Sequence, residues 1–413
     1  MWKTIVGGAA AVALAAGVLA LTHDADADPA PQFADPCGFL GEARVEACFS
    51  NPDSDDTRIF DSISSLAAAA GEGDTVRISM FHWRDGAAPE QLAEAVAGAH
   101  ERGADVRVVL DKGSEKNEDG GLFRPIQILQ GAEVPIEVCH ILDQAADGRD
   151  DCLMWRDDDF HQPDSELPMN HVKLFSFNID DVRSVVIGSS NMGAWDHEEA
   201  WNDMVRLRGD NQIGEWADGF VERLWNDDWD GWDSAEARSV YGDDVAAGQL
   251  PERAWAYPRP GDGDNISGQL SKVTGCSSAG DNRVWVAISI WSTNAREAIL
   301  DQLDRIQGLG CDVKVVVSDG VEGDQVTNLR NRLGDDNVRI LEKVHHKFII
   351  VDAQYDEGGV SENPYVITGS HIFATGSLRH NCEINLRVGG NDGSAGVAEE
   401  YIEHFGTLYS RGG

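Results

Sequence analysis

The distribution of apolar residues divides the first half of the chain into a strand–helix–strand unit. Residues 76–83 are rich in β-forming side chains, and residues 89–102 carry apolar side chains at helical spacing up to a glycine. Residues 106–111 are a second continuous apolar segment of strand length. Continuous apolar strands joined by a helix are typical of a parallel sheet whose faces are covered by helices.

The second half of the chain repeats this pattern. A strand is predicted over 284–291, an amphipathic helix over 295–309 and another strand over 313–318. Both halves then continue with a shorter strand, a His-x-Lys segment, a strand ending in Gly-Ser and a closing amphipathic helix. An internal repeat of this size indicates duplication of a whole domain.

The duplication predicts an α/β protein of two similar domains, each a mostly parallel sheet flanked by helices. The N-terminal domain is expected over 28–230 and the C-terminal domain over 283–413. Residues 231–282 are rich in Gly, Asp, Ser and Pro and are interpreted as a linker. Because ligands of open α/β sheets bind beyond strand ends, the active site is expected in the cleft between the domains.

The charge of the chain is strongly negative. It has 413 residues, with 33 basic and 72 acidic side chains, for a net charge of −39. Such a surface repels polyanions, so a general nucleic-acid-binding protein is disfavoured, although a local basic pocket is compatible with it.

The first residues have the pattern of an export signal. Lys3 precedes an apolar stretch over 5–21, and Ala25-Asp-Ala27 fits a signal-peptidase site. The alternative is a single membrane anchor, for which the apolar stretch is slightly short. We therefore predict a signal peptide over 1–27 and a secreted protein.

The seven cysteines show no zinc-type spacing. Disulfides are the usual state of cysteines in exported proteins. Short loops favour Cys37–Cys48 and Cys139–Cys152, with Cys276–Cys311 as a third pair and Cys382 left as a free thiol, although spacing alone leaves other pairings open.

The residues suited to catalysis are two pairs, His171 with Lys173 and His345 with Lys347. On an extended strand, residues two apart share a face, so each histidine points the same way as its lysine. Two ammonium groups can neutralise a phosphodiester without a metal. One imidazole can then attack phosphorus while the other transfers a proton.

These motifs resemble those of the phospholipase D superfamily, whose mark is a duplicated H-x-K-x4-D followed by G-S-x-N. The second half has His345-His-Lys347 with Asp352, and the first half has His171-Val-Lys173 followed by Gly188-Ser-Ser-Asn191. The resemblance covers nearly all of the chain after residue 27. It implies a metal-independent phosphodiesterase that needs no cofactor and works through a phosphohistidine.

The resemblance also implies roles for individual residues. His171 is the expected nucleophile and His345 the acid and base. Lys173, Lys347 and Asn191 are expected to bind phosphate oxygens, with hydroxyl donation from Ser189 and Ser370. Glu383 and, less directly, Asp203 are the candidate carboxylates that orient the histidines.

The chain departs from the family pattern at two positions. Asn178 replaces the Asp of the first motif. The corresponding residue of the second motif is Asp352, which is grouped with the substrate-binding residues. Ile372 replaces the Asn of the second motif and removes a phosphate ligand, for which His371 is a possible substitute. His346 points away from His345 and is interpreted as structural.

The leading functional hypothesis is release or transfer of phospholipid headgroups by a monomer, with transient contact with a membrane surface. A secreted nuclease or another phosphodiesterase of the same fold is the first alternative. A non-catalytic binding protein is the second. Four tryptophans are interpreted as helix packing or, alternatively, as a lipid contact: Trp216, Trp225, Trp229 and Trp232.

Overall fold

The computed structural model describes residues 33–54, 56–117, 119–140, 149–155, 168–259, 264–276, 282–292, 297–357 and 363–413. The predicted signal peptide over 1–27 lies outside these residues. Residues Phe33–Gly413 form one compact unit. Within the described ranges, no helix is both long enough and apolar enough to cross a membrane.

The N-terminal half contains nine strands and five α-helices in its described part. In chain order they are β1 (Val45–Phe49), α1 (Arg58–Ala69), β2 (Thr75–Met80), α2 (Ala87–Glu101), β3 (Asp105–Asp111), α3 (Arg124–Gly131), β4 (Ile136–Cys139), β5 (Arg149–Asp150), β6 (Met154–Trp155), β7 (Lys173–Ile179), β8 (Val182–Gly188), α4 (Ala194–Glu198), β9 (Asp203–Arg208) and α5 (Asn211–Asn226).

The remaining described residues contain ten strands and six α-helices. They are α6 (Trp229–Trp232), α7 (Ala235–Arg238), β10 (Ser239–Tyr241), β11 (Arg253–Tyr257), α8 (Asn265–Leu270), β12 (Val273–Gly275), β13 (Arg283–Ile288), α9 (Glu297–Gly308), β14 (Asp312–Ser318), α10 (Gly323–Leu333), β15 (Val338–Leu341), β16 (Lys347–Asp352), β17 (Gln354–Tyr355), β18 (Tyr365–Gly369), β19 (Glu383–Gly389) and α11 (Ala395–Arg411).

Two large sheets have closely related topologies. The first has the order β1-β9-β8-β7-β2-β3-β4 and the second β10-β11-β19-β18-β16-β13-β14-β15. In each sheet the strand–helix–strand units form a parallel edge: β2, β3 and β4 in the first, and β13, β14 and β15 in the second. The predicted internal duplication therefore appears as two sheets with matching strand arrangements.

The prediction of mostly parallel sheets is wrong, because both sheets are mixed. All other pairings in the two large sheets are antiparallel. Strands β7 and β8 are joined by two residues, Asp180 and Asp181, with φ values of 51° and 63°. Two positive-φ residues make a tight hairpin, which requires antiparallel strands. The apolar pattern does not distinguish the two directions, because both strands are buried.

The interpretation of 231–282 as a polar linker is also wrong for part of this segment. Strands β10 and β11 belong to the second sheet, and β11 pairs with β19 from Tyr257 to Arg253. These strands are short and lie among turn residues, so their apolar signal is weak. The boundaries of the two predicted domains stay a prediction.

The core between the two halves is shared. One cluster of buried apolar residues combines β8 and β9 of the first sheet with β18 and β19 of the second, and includes Phe220 of α5 and Phe405 of α11. Two further clusters lie within the individual halves. Burial of apolar surface on both sides of the junction stabilises the contact between the sheets.

The structure contains the three predicted disulfides, Cys37–Cys48, Cys139–Cys152 and Cys276–Cys311, and Cys382 is free and buried. The pairing inferred from short loops is confirmed.

The tryptophans of α5 and α6 pack inward. Trp216, Trp229 and Trp232 are buried, and Trp225 packs partly buried against the shared core. The indole N–H of Trp216 donates to the Ala237 carbonyl at 2.9 Å. The packing interpretation is therefore confirmed for the three buried residues.

Candidate active site

The two His-x-Lys segments open a strand near the centre of each sheet. Lys173 is the first residue of β7, and Lys347 is the first residue of β16. Each lysine ammonium donates to the carbonyl oxygen of the histidine two residues earlier, at 2.9 Å for His171 and 2.7 Å for His345. Both halves thus group histidine and lysine as the alternation of an extended chain predicts.

Each of these histidines is anchored by the opposite half of the chain. The backbone N–H of His171 donates to the Cys382 carbonyl, and that of His345 donates to the Trp201 carbonyl, both at 2.9 Å. The contacts form two isolated parallel bridges between the halves. This reciprocal arrangement brings the two segments together about a pseudo-twofold relation.

Glu383 holds the imidazole of His171. Both carboxylate oxygens lie 3.0 Å from His171 Nδ1. Complete burial raises the pKa of Glu383 to about 7. Burial, followed by the charges of Lys173 and Lys347, lowers the pKa of His171 well below its usual value. With Nδ1–H donated to Glu383, Nε2 of an uncharged imidazole carries the lone pair.

Asn202 holds the imidazole of His345. Its side-chain oxygen lies 2.8 Å from His345 Nδ1. Asp203, the sequence-based candidate for orienting a catalytic histidine, is the next residue and contacts His346 instead. Neighbouring residues of an extended chain point to opposite sides, so Asn202 reaches His345 and Asp203 reaches His346.

Asp203 forms a buried network of its own. Its carboxylate lies 2.9 Å from Nδ1 of His346 and accepts hydrogen bonds from Thr368 and Tyr401. Although burial opposes the charged form, these three donors lower the pKa of Asp203 to about 2. His346 Nε2 lies 2.8 Å from Nε2 of His404. His346 is therefore engaged away from the catalytic pairs, which agrees with its structural interpretation.

The serines of the two Gly-Ser turns orient the residues that hold the histidines. Ser189 donates to the Asn202 side-chain oxygen at 2.9 Å, and Ser370 donates to Glu383 at 2.5 Å. A serine hydroxyl has a single hydrogen to donate. The predicted donation from these serines to a phosphate group is therefore not available in this arrangement.

Both lysines are buried close to each other. Burial lowers the pKa of Lys173 to about 7, despite the carboxylates of Glu383, Asp196 and Asp111. Burial and then the charge of Lys173 lower the pKa of Lys347 well below its usual value. Two ammonium groups at such a site attract an anion, and a bound anion stabilises their charged forms.

Asn191 is the candidate phosphate ligand of the first half, and Asp196 supports it. The Asn191 backbone N–H and side-chain amide donate to Asp196 Oδ1 at 3.0 and 3.3 Å. A side-chain amide has two N–H donors, so a second one remains for a ligand. In the second half, the Ile372 backbone N–H donates to the Ser377 hydroxyl at 2.8 Å. Ile372 therefore occupies the position that corresponds to Asn191.

Asp352 lies far from the candidate site, so its assignment as a substrate-binding residue is wrong. It pairs with Arg283 at 3.0 Å at the opposite end of β16 from Lys347. A strand rises about 3.3 Å per residue, so five residues separate the two side chains by roughly 16 Å. Asn178 has the same position on β7, beside Thr75. Asn178 therefore lies at the end of β7 that is remote from Lys173.

His371 is fully buried, next to Phe373 of the C-terminal core, with ring centroids 5.8 Å apart. Neither ring nitrogen has a hydrogen-bond partner among the described residues. Its binding of phosphate in place of the missing asparagine stays a prediction.

Several residues beside the histidines carry no motif signal. The ring of Phe81 meets His171 edge-on at 4.7 Å and stacks on His82 at 3.7 Å. His82 Nε2 in turn lies 2.9 Å from the guanidinium of Arg84. Trp195 meets His345 edge-on at 5.4 Å and is 42% exposed. Alignment of the two halves could have identified residues 81–84. They correspond to residues 289–292, and both segments follow the strand that pairs with the lysine of a His-x-Lys segment.

The sequence matches the family described as cardiolipin synthase, PLD-like domain, over residues 63–225 and 276–409. The chain belongs to this family of duplicated phospholipase D-like proteins. The resemblance inferred from the two motifs is confirmed. A comparison with curated protein sequences finds no match.

The chain also matches solved structures at low sequence identity. Phosphatidylserine synthase of Haemophilus influenzae Rd KW20 has a TM-score of 0.58 and 11% identity, with 89% of this chain and 86% of that chain covered. Nuc from Salmonella typhimurium has a TM-score of 0.30 and 18% identity over 46% of this chain and 95% of that chain. At these identities the likeness to the synthase shows the fold alone.

Proposed function

We propose that this protein is an exported phosphodiesterase of the phospholipase D type that acts on phospholipids through a phosphohistidine. The observation that carries the proposal is the reciprocal pair of supported histidines, each followed by a buried lysine. In both, Nδ1 is held by a partner from the other half, which leaves Nε2 as the reactive nitrogen.

The first step of the proposed reaction forms a bond between His171 Nε2 and phosphorus. The bond from phosphorus to the leaving oxygen breaks, and that oxygen receives a proton from His345 Nε2. Lys173, Lys347 and Asn191 stabilise the charge on the non-bridging oxygens. The negative charge of the bound phosphodiester offsets the two lysines, which favours the protonated form of His345.

The second step releases the product. His345, now neutral, removes a proton from water or an alcohol, whose oxygen attacks phosphorus as the bond to His171 breaks. The carboxylate of Glu383 makes His171 the more electron-rich imidazole, because Nδ1–H is donated to a charged acceptor. This difference between Glu383 and Asn202 supports His171 as the nucleophile and His345 as the acid.

The surroundings of the site support an amphiphilic substrate. Trp195 and Ile290 are 42% and 47% exposed, and Ile290 follows Ser289, whose N–H donates to the His346 carbonyl. Apolar side chains beside a pair of ammonium groups suit a molecule with both a phosphodiester and an apolar part. Three disulfides and the predicted signal peptide support export to an oxidising compartment.

The test is headgroup release from vesicles of phosphatidylcholine, phosphatidylethanolamine or phosphatidylglycerol, in excess EDTA, by the protein without residues 1–27. We expect release by the wild type, and a loss of about 10²- to 10⁴-fold in His345→Ala because the general acid is removed. Lys173→Ala should lose about 10²- to 10³-fold because a charge that stabilises the transition state is removed. Lys314→Ala, on β14 in the second sheet, is the matched control and should retain activity.

Other outcomes identify the alternatives. Cleavage of single-stranded DNA without release from any vesicle would favour a nuclease. Binding of phospholipid without turnover, and without a denaturation-stable phosphate adduct on His171, would favour a binding protein. Release abolished by EDTA and restored by a divalent cation would contradict the metal-independent mechanism.

A further inference from the structure

The supports of the two histidines differ in chemistry, although the halves match in fold. His171 faces a carboxylate, Glu383, whereas His345 faces a neutral amide, Asn202. Both supports accept a hydrogen bond from the serine of a Gly-Ser turn, Ser370 or Ser189. Asn202 and Glu383 therefore occupy corresponding positions, and the carboxylate is missing from one of them.

At a second pair of corresponding positions, Asp196 and Ser377, the carboxylate is in the first half instead. Asp196 Oδ1 accepts the backbone N–H of the residue five positions earlier, Asn191, at 3.0 Å. Ser377 Oγ accepts the backbone N–H five positions earlier, that of Ile372, at 2.8 Å. Here the first half has the carboxylate and the second half has the hydroxyl.

We propose that Asp196 is a positioning residue that supplies His345 with the negative charge that Glu383 supplies to His171. The inference rests on the proposed function and extends it to the acid–base histidine. Asp196 Oδ1 lies 3.7 Å from His345 Nδ1. The position of the carboxylate differs between the two halves, so each histidine retains one buried carboxylate beside it.

Burial both disfavours and strengthens the charge of Asp196. Its side chain has a relative exposure of 5%, which raises the pKa of the carboxyl to about 6, so it is mainly charged only above that pH. Once charged, it is screened little by solvent. The cations that face it are Lys173 and Lys347. His345 itself faces both lysines and the imidazoles of His171 and His346. Asp203, the buried acid that follows Asn202, is engaged with His346, Thr368 and Tyr401.

The mechanism requires this charge because His345 becomes an imidazolium when it accepts a proton. An opposite charge within about 4–6 Å raises the pKa of the imidazolium by roughly 1–3 units. Asn202 supplies orientation but no charge. Loss of the Asp196 carboxylate should therefore lower the pKa of His345 and make its proton harder to retain.

The test uses Asp196→Asn, which keeps an oxygen acceptor for the Asn191 backbone N–H. The pKa of His345 is measured by NMR in the wild type and in this variant, and the His345 signal is assigned from its absence in the spectrum of His345→Ala. We expect a decrease of one unit or more. This measurement does not require turnover, so it remains decisive if the proposed lipid substrate is wrong. An unchanged pKa of His345 in a folded Asp196→Asn protein would overturn the inference.

A second experiment introduces into the first half the two side chains that occupy the corresponding positions of the second half. Asp196→Ser alone should lower kcat and shift the alkaline limb of the pH–kcat profile to lower pH. Adding Asn202→Glu, which reproduces the Ser377–Glu383 pair, should recover at least tenfold of the lost kcat and return the limb toward its original position. A double variant no more active than the single one, with both folded by circular dichroism, would contradict the proposed role of Asp196.

Discussion

At the scale of single residues, the chemistry of this protein depends on removing charged groups from water. Lys173, Lys347 and Glu383 are fully buried, and burial is the largest cause of each pKa shift. A buried ammonium releases its proton more easily than an exposed one. The site therefore needs an anionic ligand to keep both lysines charged, which couples substrate binding to protonation.

The lowered pKa of Lys173, about 7, predicts the pH dependence of kcat/KM. Phosphate binding requires the charged lysine, so kcat/KM should fall as the pH rises through about 7, because the free enzyme loses this proton. At saturating substrate, the bound anion should move the corresponding limb of kcat to higher pH. Initial rates between pH 5 and 9 test this expectation.

The matched control for this prediction is Lys173→Arg. A guanidinium stays charged over this range, so any residual activity should lack the limb near pH 7. A wild-type kcat/KM that is constant up to pH 9 would show that Lys173 keeps its proton without substrate.

At the scale of elements, the contact between β9 and the segment before β16 contains a buried polar pair that its counterpart lacks. His346 and Asp203 occupy the positions of Val172 and Ile384 in the other half, where both residues are apolar and buried. A buried ion pair is weak evidence for stability by itself, but loss of one partner is costly.

His346→Val should lower the free energy of unfolding by roughly 3–5 kcal/mol, because the buried Asp203 carboxylate loses a partner. The double variant His346→Val/Asp203→Ile, which copies Val172 and Ile384, should recover part of this loss. Urea unfolding at pH 7 measures both. A double variant less stable than the single one would contradict this expectation. It would mean that leaving Thr368 and Tyr401 without the Asp203 carboxylate costs more than leaving that carboxylate without His346.

At the scale of the whole molecule, the two halves form one functional unit. Each histidine takes its backbone partner and its side-chain partner from the other half, and a shared apolar core joins the sheets. One chain therefore contains both histidine–lysine pairs of the proposed site, and the monomeric state stays a prediction.

The net charge of −39 predicts a dependence of stability on salt. Like charges on a compact surface repel one another, and salt shortens the Debye length from about 10 Å at 0.1 M to about 3 Å at 1 M. We expect the Tm at pH 7 to rise between 0.02 and 1 M sodium chloride.

The control for this effect is the same titration at pH 4.5, close to the sequence pI of about 4.4, where partly protonated carboxylates and charged histidines bring the net charge near zero. The increase should be much smaller there. A Tm that falls with salt at pH 7 would mean that attractive ion pairs outweigh the repulsion.

The sequence by itself determined the duplication, the two His-x-Lys pairs and the three disulfides. These depend on local features: residue spacing, alternation along a strand and short loops. Membership of a motif does not by itself place a residue in the site. Asp352 belongs to the second motif, but its contact with Arg283 lies at the far end of the strand that begins with Lys347.

Only the tertiary structure decided strand direction, the inclusion of β10 and β11 in the second sheet, and the partners of His345. Direction depends on how the chain returns to the sheet, and buried strands look alike in either direction. Asn202 and Asp196 were missed because their importance arises from contacts across about 143 and 149 positions of the chain. Such contacts form when two sheets pack together, so no local pattern contains them.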